Sequence, residues 1–314
     1  MARRSPDWPA GILLIDKPPG WTSHDVVAKV RGICRQRRIG HTGTLDPMAT
    51  GLLVLCLGHA TRLVEYMARH DKAYEGEIAL GVATDTDDAD GTPIATAPVP
   101  PLTDADLRAL AERFIGDIEQ VPPAYSAVKI DGQRAYEAAR KGHDLDLAAR
   151  PVRIDALELK LLAPDRVGVR IECGPGTYVR SLARDIGQVL GCGAHLATLR
   201  RLRVGAFQVH EAITLDELQR LTDEGRLAEI LRAADEGLAE LPAAILAPPA
   251  ARSVRNGVRV RLRLERRDVH GPVRIYDTRG DFIATGELRM SGELRPSKVM
   301  PAMTIMSGTD TNSD

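Results

Sequence analysis

Between Gly51 and Gly58 the chain reads GLLVLCLG, an unbroken apolar run with a glycine at each end. A run this short and this apolar is a strand buried in a sheet, so the chain must supply elements to cover it. GILLIDKPPG (11–20) is a short apolar strand stopped by a Pro-Gly turn. YEGEIALG (74–81) and RVGVRIEC (166–173) alternate as half-buried strands do. Helical patterns lie between them. Ser23 reads as a helix cap, with Val26, Val27, Val30 and Ile33 on one face behind it. Thr103 and Asp106 resemble a capping box that opens a helix with Leu107, Leu110 and Phe114 inward. GTYVRSLARDIGQVL places Leu182, Ile186 and Val189 on one helical side, and Thr214 with Glu217 opens a further helix.

The chain of 314 residues, 44% hydrophobic, is long enough for one large domain and a small one. LPAAILAPPAA (241–251) is the expected boundary, giving a main domain over 11–240 and a β-rich module over 241–303. Residues 1–10 and 304–314 read as disordered ends. VPPAYSAVKIDGQRAYEAARKGHDLDLAARPV, at about 122–150, reads as an inserted arm. No apolar run approaches a membrane span, and MARRSPDWPAG lacks the apolar core of a signal peptide, so a cytoplasmic protein is expected. Cys34, Cys56, Cys173 and Cys192 are too scattered for Cys-x-x-Cys pairs and read as reduced structural thiols. Neither a Walker-type phosphate loop nor a zinc motif is present.

The net charge of −1 conceals segregation: residues 81–120 hold nine acidic residues and two arginines, whereas 252–267 hold seven arginines and one glutamate. Shorter basic clusters run from Arg31 to Arg38 and from Leu199 to Arg203. Local basic surface is what binds phosphates, so nucleic acid stays open as a partner, against the plainer reading of solvated basic faces.

RIGHTGTLDPMATGLL (38–53) holds one carboxylate, Asp46, in a glycine-rich loop. Pro47 restricts Asp46 to extended backbone, and Gly40, Gly43 and Gly51 admit close approach of a large substrate. By spacing alone the residue fits a turn as well as a nucleophile or base. Its company decides. GHTGTLDPMATGLL resembles the catalytic loop of the TruB family, bacterial pseudouridine synthases acting on uridine 55 of tRNA. LLIDKPPGWTSHDVV, KAYEGEIALGVATDTDDADG, the arm, CGPGTYVRSLARDIG and GAHLATLRRLRVGAF resemble further motifs of that family, in its order, over about residues 10–215. The last 70 or so residues resemble a PUA-type RNA-binding module.

The resemblance implies an α+β fold, with a mixed, mostly antiparallel central sheet, flanking helices and a small β-rich PUA-like domain. It implies an isomerisation in which the uridine C1′–N1 bond breaks and uracil C5 is rejoined to C1′, with no cofactor and no metal. Asp46 matches the essential aspartate and Arg180 the arginine that pairs with it. Tyr74 matches the active-site tyrosine. Tyr178 and Leu199 match pocket-lining residues, and His41 matches the residue that fills the space of the flipped base. Lys17 and the basic clusters are expected on phosphates, and Lys129, Arg134, Arg140, Lys141 and Arg150 of the arm on the outside of an RNA loop. The implied partner is the T-arm stem-loop of tRNA, with no membrane, no obligate protein partner and a monomeric enzyme. Three competing readings are a guide-RNA-dependent synthase subunit, a tRNA folding helper with incidental catalysis, and an RNA-binding protein with a dead site.

Overall fold

The computed structural model describes residues 10–126, 147–263 and 269–301, together with the backbone of 129–130 and 133–134. The expected disordered ends and most of the arm, including Arg140 and Lys141 and the side chains of Lys129 and Arg134, lie outside the described residues.

The apolar run forms the strand that organises the larger sheet. The strands are β1 (Gly11–Lys17), β2 (Ile39–His41), β3 (Thr50–Leu57), β4 (Lys72–Leu80), β5 (Val82–Thr84), β6 (Pro93–Thr96) and β7 (Gly116–Gln120). The short pair β8 (Lys129–Ile130) and β9 (Gln133–Arg134) follows, then β10 (Arg150–Ala163), β11 (Arg166–Cys173), β12 (Ala194–Val204) and β13 (Phe207–Gln208). The sheet runs β1-β3-β12-β4-β11-β10-β7, with β2 also on β3 and β13 on β12. Every pairing in it is antiparallel except β3 with β12, which meet only at Thr50–Arg200 and Gly51–Arg201. This is the expected mixed, mostly antiparallel α+β sheet.

Successive side chains of a strand point to opposite faces, and β3 feeds two cores in that way. Leu53, Leu55 and Leu57 join a cluster with Val26, Val27 and Val30 of α1 (Ser23–Ile33), Leu107 and Leu110 of α3 (Asp104–Glu112), Leu182 and Ile186 of α4 (Val179–Leu190) and Leu218 of α5 (Leu215–Asp223). Leu52, Val54 and Cys56 pack on the other face with Leu63, Phe207, Leu238 and Met67 of α2 (Val64–Met67). Each fully buried leucine or valine contributes about 1.5–3 kcal/mol, so β3 is held from both sides. All four cysteines are free and buried.

Several local expectations need correction. Thr22, not Ser23, caps α1, accepting from the Asp25 backbone in a full capping box. Ser23 lies one residue too far along to cap and turns inward, where its hydroxyl donates to the Leu45 carbonyl (3.0 Å) and accepts from the Leu45 N–H (2.8 Å). Val189 is exposed, because α4 buries Val179 and Ala183 beside Leu182 and Ile186. Phe114 falls past the end of α3 and is only partly buried. The Thr103–Asp106 box and the Thr214 cap form as read.

A second, five-stranded sheet begins at Ala243. Its order is β14 (Ala243–Leu246), β16 (Gly271–Asp277), β17 (Phe282–Leu288), β18 (Glu293–Val299) and β15 (Val260–Arg261). With α6 (Pro248–Arg255) it encloses its own core of Leu246, Val254, Val273, Ile275, Ile283 and Leu294. Met300 extends into the core beneath β3. Lys298 pairs with Glu65 (3.0 Å), and the Tyr66 and Thr285 hydroxyls meet at 3.2 Å.

Candidate active site

The loop from His41 to Ala49 joins β2 to β3 and is tied down along its length. Thr42 N–H donates to the Val54 carbonyl (3.1 Å), and Ala49 N–H to that of Asp46 (3.1 Å). Gly20 N–H reaches the Pro47 carbonyl at 2.9 Å. Arg201, wholly buried on β12, donates to the carbonyls of Leu52 (2.7 Å), Thr44 (3.2 Å) and Gly43 (3.1 Å). Gly51, where the loop enters β3, is a glycine of necessity: its φ is +95°, and a β-carbon would lie 2.4 Å from the Arg201 carbonyl oxygen.

Asp46 is presented by this loop to Arg180, in the first turn of α4. Arg180 Nη2 donates to Oδ1 (3.1 Å), and Nε lies 2.9 Å from Oδ2 as an ion contact whose N–H is poorly aimed for a hydrogen bond. The remaining guanidinium contacts are the carbonyls of Thr86 and Tyr125, each at 3.0 Å, and Asp88 Oδ2 at 3.3 Å. Arg180 is 5% exposed and Asp46 32%, so the carboxylate faces open space while its partner is sealed. Burial pushes the Asp46 carboxyl up from the ordinary carboxylate range, Arg180 opposes that shift, and Asp88 adds to it. The open space is a cleft of about 690 Å³, lined by Asp46, Tyr74, Tyr178, Arg180 and Leu199, with His24, Lys72, Tyr125 and Arg201. Its size suits a small ligand or one nucleotide unit.

Comparison with known families places the chain as a whole. A profile described as the TruB family pseudouridylate synthase N-terminal domain matches residues 31–179. Profiles for the tRNA pseudouridylate synthase B C-terminal domain and for the pseudouridine synthase II TruB C-terminal region match 180–239 and 242–300. The tRNA pseudouridine synthase B of Aromatoleum aromaticum is 45% identical over 92% of this chain and 92% of its own length. The chain belongs to the TruB family of pseudouridylate synthases. Its relatives include the tRNA pseudouridine synthase B of Opitutus terrae, 49% identical over 71% of this chain and 94% of that one. Among solved structures, the crystal structure of a Cbf5-Nop10-Gar1 complex aligns with a TM-score of 0.71 at 26% identity, over 96% of this chain and 92% of that one.

Within this TruB-family cleft the residues singled out by sequence separate into two groups. Asp46, Tyr74, Arg180, Tyr178 and Leu199 come together at the cleft wall. Tyr74 projects from β4, almost wholly buried, and burial raises its phenol. Tyr178 caps α4 from outside the helix, where Gln120 clamps its backbone by accepting from the N–H (2.8 Å) and donating to the carbonyl (3.0 Å).

Lys17 and His41 stand apart. Lys17 is fully buried, and its ammonium donates to the carbonyls of Pro18 (2.9 Å), Trp21 (2.6 Å) and Pro47 (3.1 Å). It therefore ties the loop to β1, and the expected phosphate contact is corrected: no donor of this residue is left at the surface. Burial lowers its ammonium to about 8, with Asp46 opposing. His41 does not line the cleft. Its ring packs edge-on to His24, with centroids 5.4 Å apart, and its buried Nδ1 has no hydrogen-bond partner. Burial, followed by His24 and Arg201, lowers it to about 4, so the ring is neutral near pH 7.

The basic cluster Leu199–Arg203 is likewise corrected. Arg200 makes a two-point pair with Asp16 (3.0 and 2.7 Å), Arg201 is buried, and Arg203 meets Glu172 at 2.7 Å. Sequence reading missed Asp88, Lys72, His24 and Arg201 as members of the site. The available signal lay in the quoted motifs themselves, since each of the four sits inside a stretch already matched to the family.

Proposed function

We propose that this chain isomerises uridine to pseudouridine in tRNA, at position 55 of the T-arm loop, acting on free tRNA as a monomer. The observation that carries the reading is the Asp46–Arg180 pair in the wall of a nucleotide-sized cleft, in a chain 45% identical to a tRNA pseudouridine synthase B along nearly its whole length.

Asp46 is the reacting carboxylate. Arg180 fixes its orientation through two contacts and offsets the cost of holding a charge in a partly dry site. Asp88 and two backbone carbonyls fix Arg180 in turn. A uridine in a folded loop must leave its stack to reach this depth, at a cost of a few kcal/mol. Tyr74 and Leu199 offer flat and apolar surface to receive the ring, Tyr178 closes one wall, and His41 with His24 stands at the loop's entrance to occupy the space the base leaves. The arm and the arginines of the second sheet supply backbone contacts, which position RNA without reading it.

The test is tritium release from an unmodified tRNA transcript labelled at uridine C5, comparing wild type with Asp46→Asn. Wild type releases tritium. The variant loses more than about 10³-fold in rate while binding tRNA within about twofold, the pattern of a group acting in the transition state. Product mapping then places the modified residue. A folded wild type that binds tRNA tightly but releases nothing would sink the stand-alone reading and favour dependence on a guide or partner.

A further inference from the structure

Two cations at the floor of the cleft have no counter-ion among the described residues. Arg201 on β12 and Lys72 on β4 are both buried, and among the described residues neither is ion-paired; Asp71, the acid next to Lys72 in sequence, is taken by Arg153 at 2.9 Å. Both converge on Gly43, where a β-carbon would lie 3.5 Å from Lys72 Cε and 3.7 Å from Arg201 Nη1. Both line the cleft with Asp46 and Tyr74. Lys72 and Tyr74 alternate onto one face of β4, and Arg201 sits opposite Tyr74 in the β4–β12 register.

Backbone carbonyls occupy only part of their donor capacity. Arg201 serves three, and Lys72 serves those of Ala68 (3.3 Å) and His70 (2.6 Å). A guanidinium and an ammonium each carry more N–H groups than that. Holding a charge in the interior without a partner costs several kcal/mol, by order of magnitude. The two also repel each other: Lys72 is lowered to about 8 by burial and then by Arg201. An anion arriving between them relieves both penalties.

We propose that Lys72 and Arg201 form a cradle for the negative charge that the uracil ring carries while it is detached from the sugar. The proposal rests on the reading of the cleft as the uridine site. When C1′–N1 breaks, its electron pair leaves with the ring and spreads over N1 and the two carbonyl oxygens. C1′ is left electron-poor, to be met by the Asp46 carboxylate or by loss of a sugar proton. The ring returns an electron pair to C1′ in the new C5–C1′ bond as the Asp46–C1′ bond breaks, or as the lost sugar proton is put back. The C5 proton then departs to restore the C5–C6 double bond, and N1 takes up a proton. The charge on the ring is therefore transient, and fixed cations already in place stabilise it without reorganisation. A backbone phosphate is the poorer fit, since the cations share a face with Tyr74 at the cleft floor, where a base enters and its backbone stays outside.

The test uses the full chain and an unmodified tRNA transcript, with single-turnover pseudouridine formation at saturating enzyme, transcript affinity and thermal stability read in parallel. Arg201 holds the loop through three carbonyls, so loss of fold would confound its variants and Lys72 carries the test. Lys72→Met should slow the saturated step by about 30-fold or more with affinity within about twofold, and Lys72→Arg should recover to within about fivefold of wild type. Three results overturn the proposal. One is an unchanged saturated rate in Lys72→Met. Another is weaker affinity at an unchanged saturated rate, which assigns the lysine to a phosphate. The last is a Lys72→Arg as slow as Lys72→Met with both less stable, which makes the residue structural. An inactive wild type would instead refute the function proposed above, leaving the two failures distinguishable.

Discussion

Two regions of this chain hold three arginines apiece that they use in opposite ways. On β12, Arg200, Arg201 and Arg203 are spent on Asp16, on three backbone carbonyls and on Glu172. In the second sheet, Arg259 and Arg289 stand 74% and 62% exposed, at 3.6 and 3.9 Å from the one Glu293. With Arg295 and Gly257 they line a shallow recess of about 340 Å³. Arginine density is thus not itself a nucleic-acid footprint. On a central strand the guanidinium folds back onto neighbouring strands and loops, and its charge becomes part of the architecture. On a small edge module it stays in water, where it can release counter-ions from a phosphate backbone.

The sharpest way to break this contrast is Arg201→Met. It leaves the Gly43, Thr44 and Leu52 carbonyls without their donor and should cost about 3–5 kcal/mol in urea unfolding; a loss under about 1 kcal/mol would place Arg201 with the surface arginines. A triple Arg259, Arg289 and Arg295→Ala variant should do the reverse. Its unfolding midpoint should move little, since exposed pairs are worth about 0–1 kcal/mol each. Its tRNA affinity should fall, and the slope of log affinity against log salt should flatten by about 2–3. An unchanged slope would remove the recess from the RNA path.

A further test of the buried side is its pH dependence. His41 is depressed from 6.5 to about 4, so between those values the unfolded chain takes up a proton that the folded chain refuses. Its contribution to stability is intact above 6.5, is lost as pH falls through about 4, and is constant below that. His41→Asn should lose less stability than wild type across that window in thermal melts; equal losses would mean the ring is already charged at mild pH.

Much of the frame was legible in local pattern. The two-faced burial of β3 follows from an unbroken apolar run, and the Thr103–Asp106 box and the Thr214 cap follow from side chains that reach only their own helix. What local pattern could not supply is how side chains are spent at long range. Lys17 sits beside Pro18 and Pro19, which reads as a surface turn, yet it is enclosed because β1 runs beneath the loop that carries Pro47. Asp88 sits in TDTDDADG, which reads as a solvated acidic turn, yet it is one of the least exposed acids because α4 brings Arg180 to it. Ser23 fits a cap by type and lost the place to a threonine one residue earlier, a choice fixed by where Leu45 needed a partner. Asp46 was singled out by its company, and the same company contained Lys72 and Arg201, whose charges stand out only once it is seen in three dimensions that no described carboxylate pairs with them.

The Asp46–Arg180 pair joins residues 134 positions apart. The β2–β3 hairpin that carries Asp46 closes over fewer than twenty residues, so the loop can take shape early as the chain emerges. Its arginine arrives only after β4, β7, β10 and β11 have been laid down. Until then a carboxylate held in a nearly finished loop lacks its partner. On the function proposed above, activity therefore comes late in assembly, and turnover by a fragment or misassembled chain reports whether segments 134 residues apart have found each other.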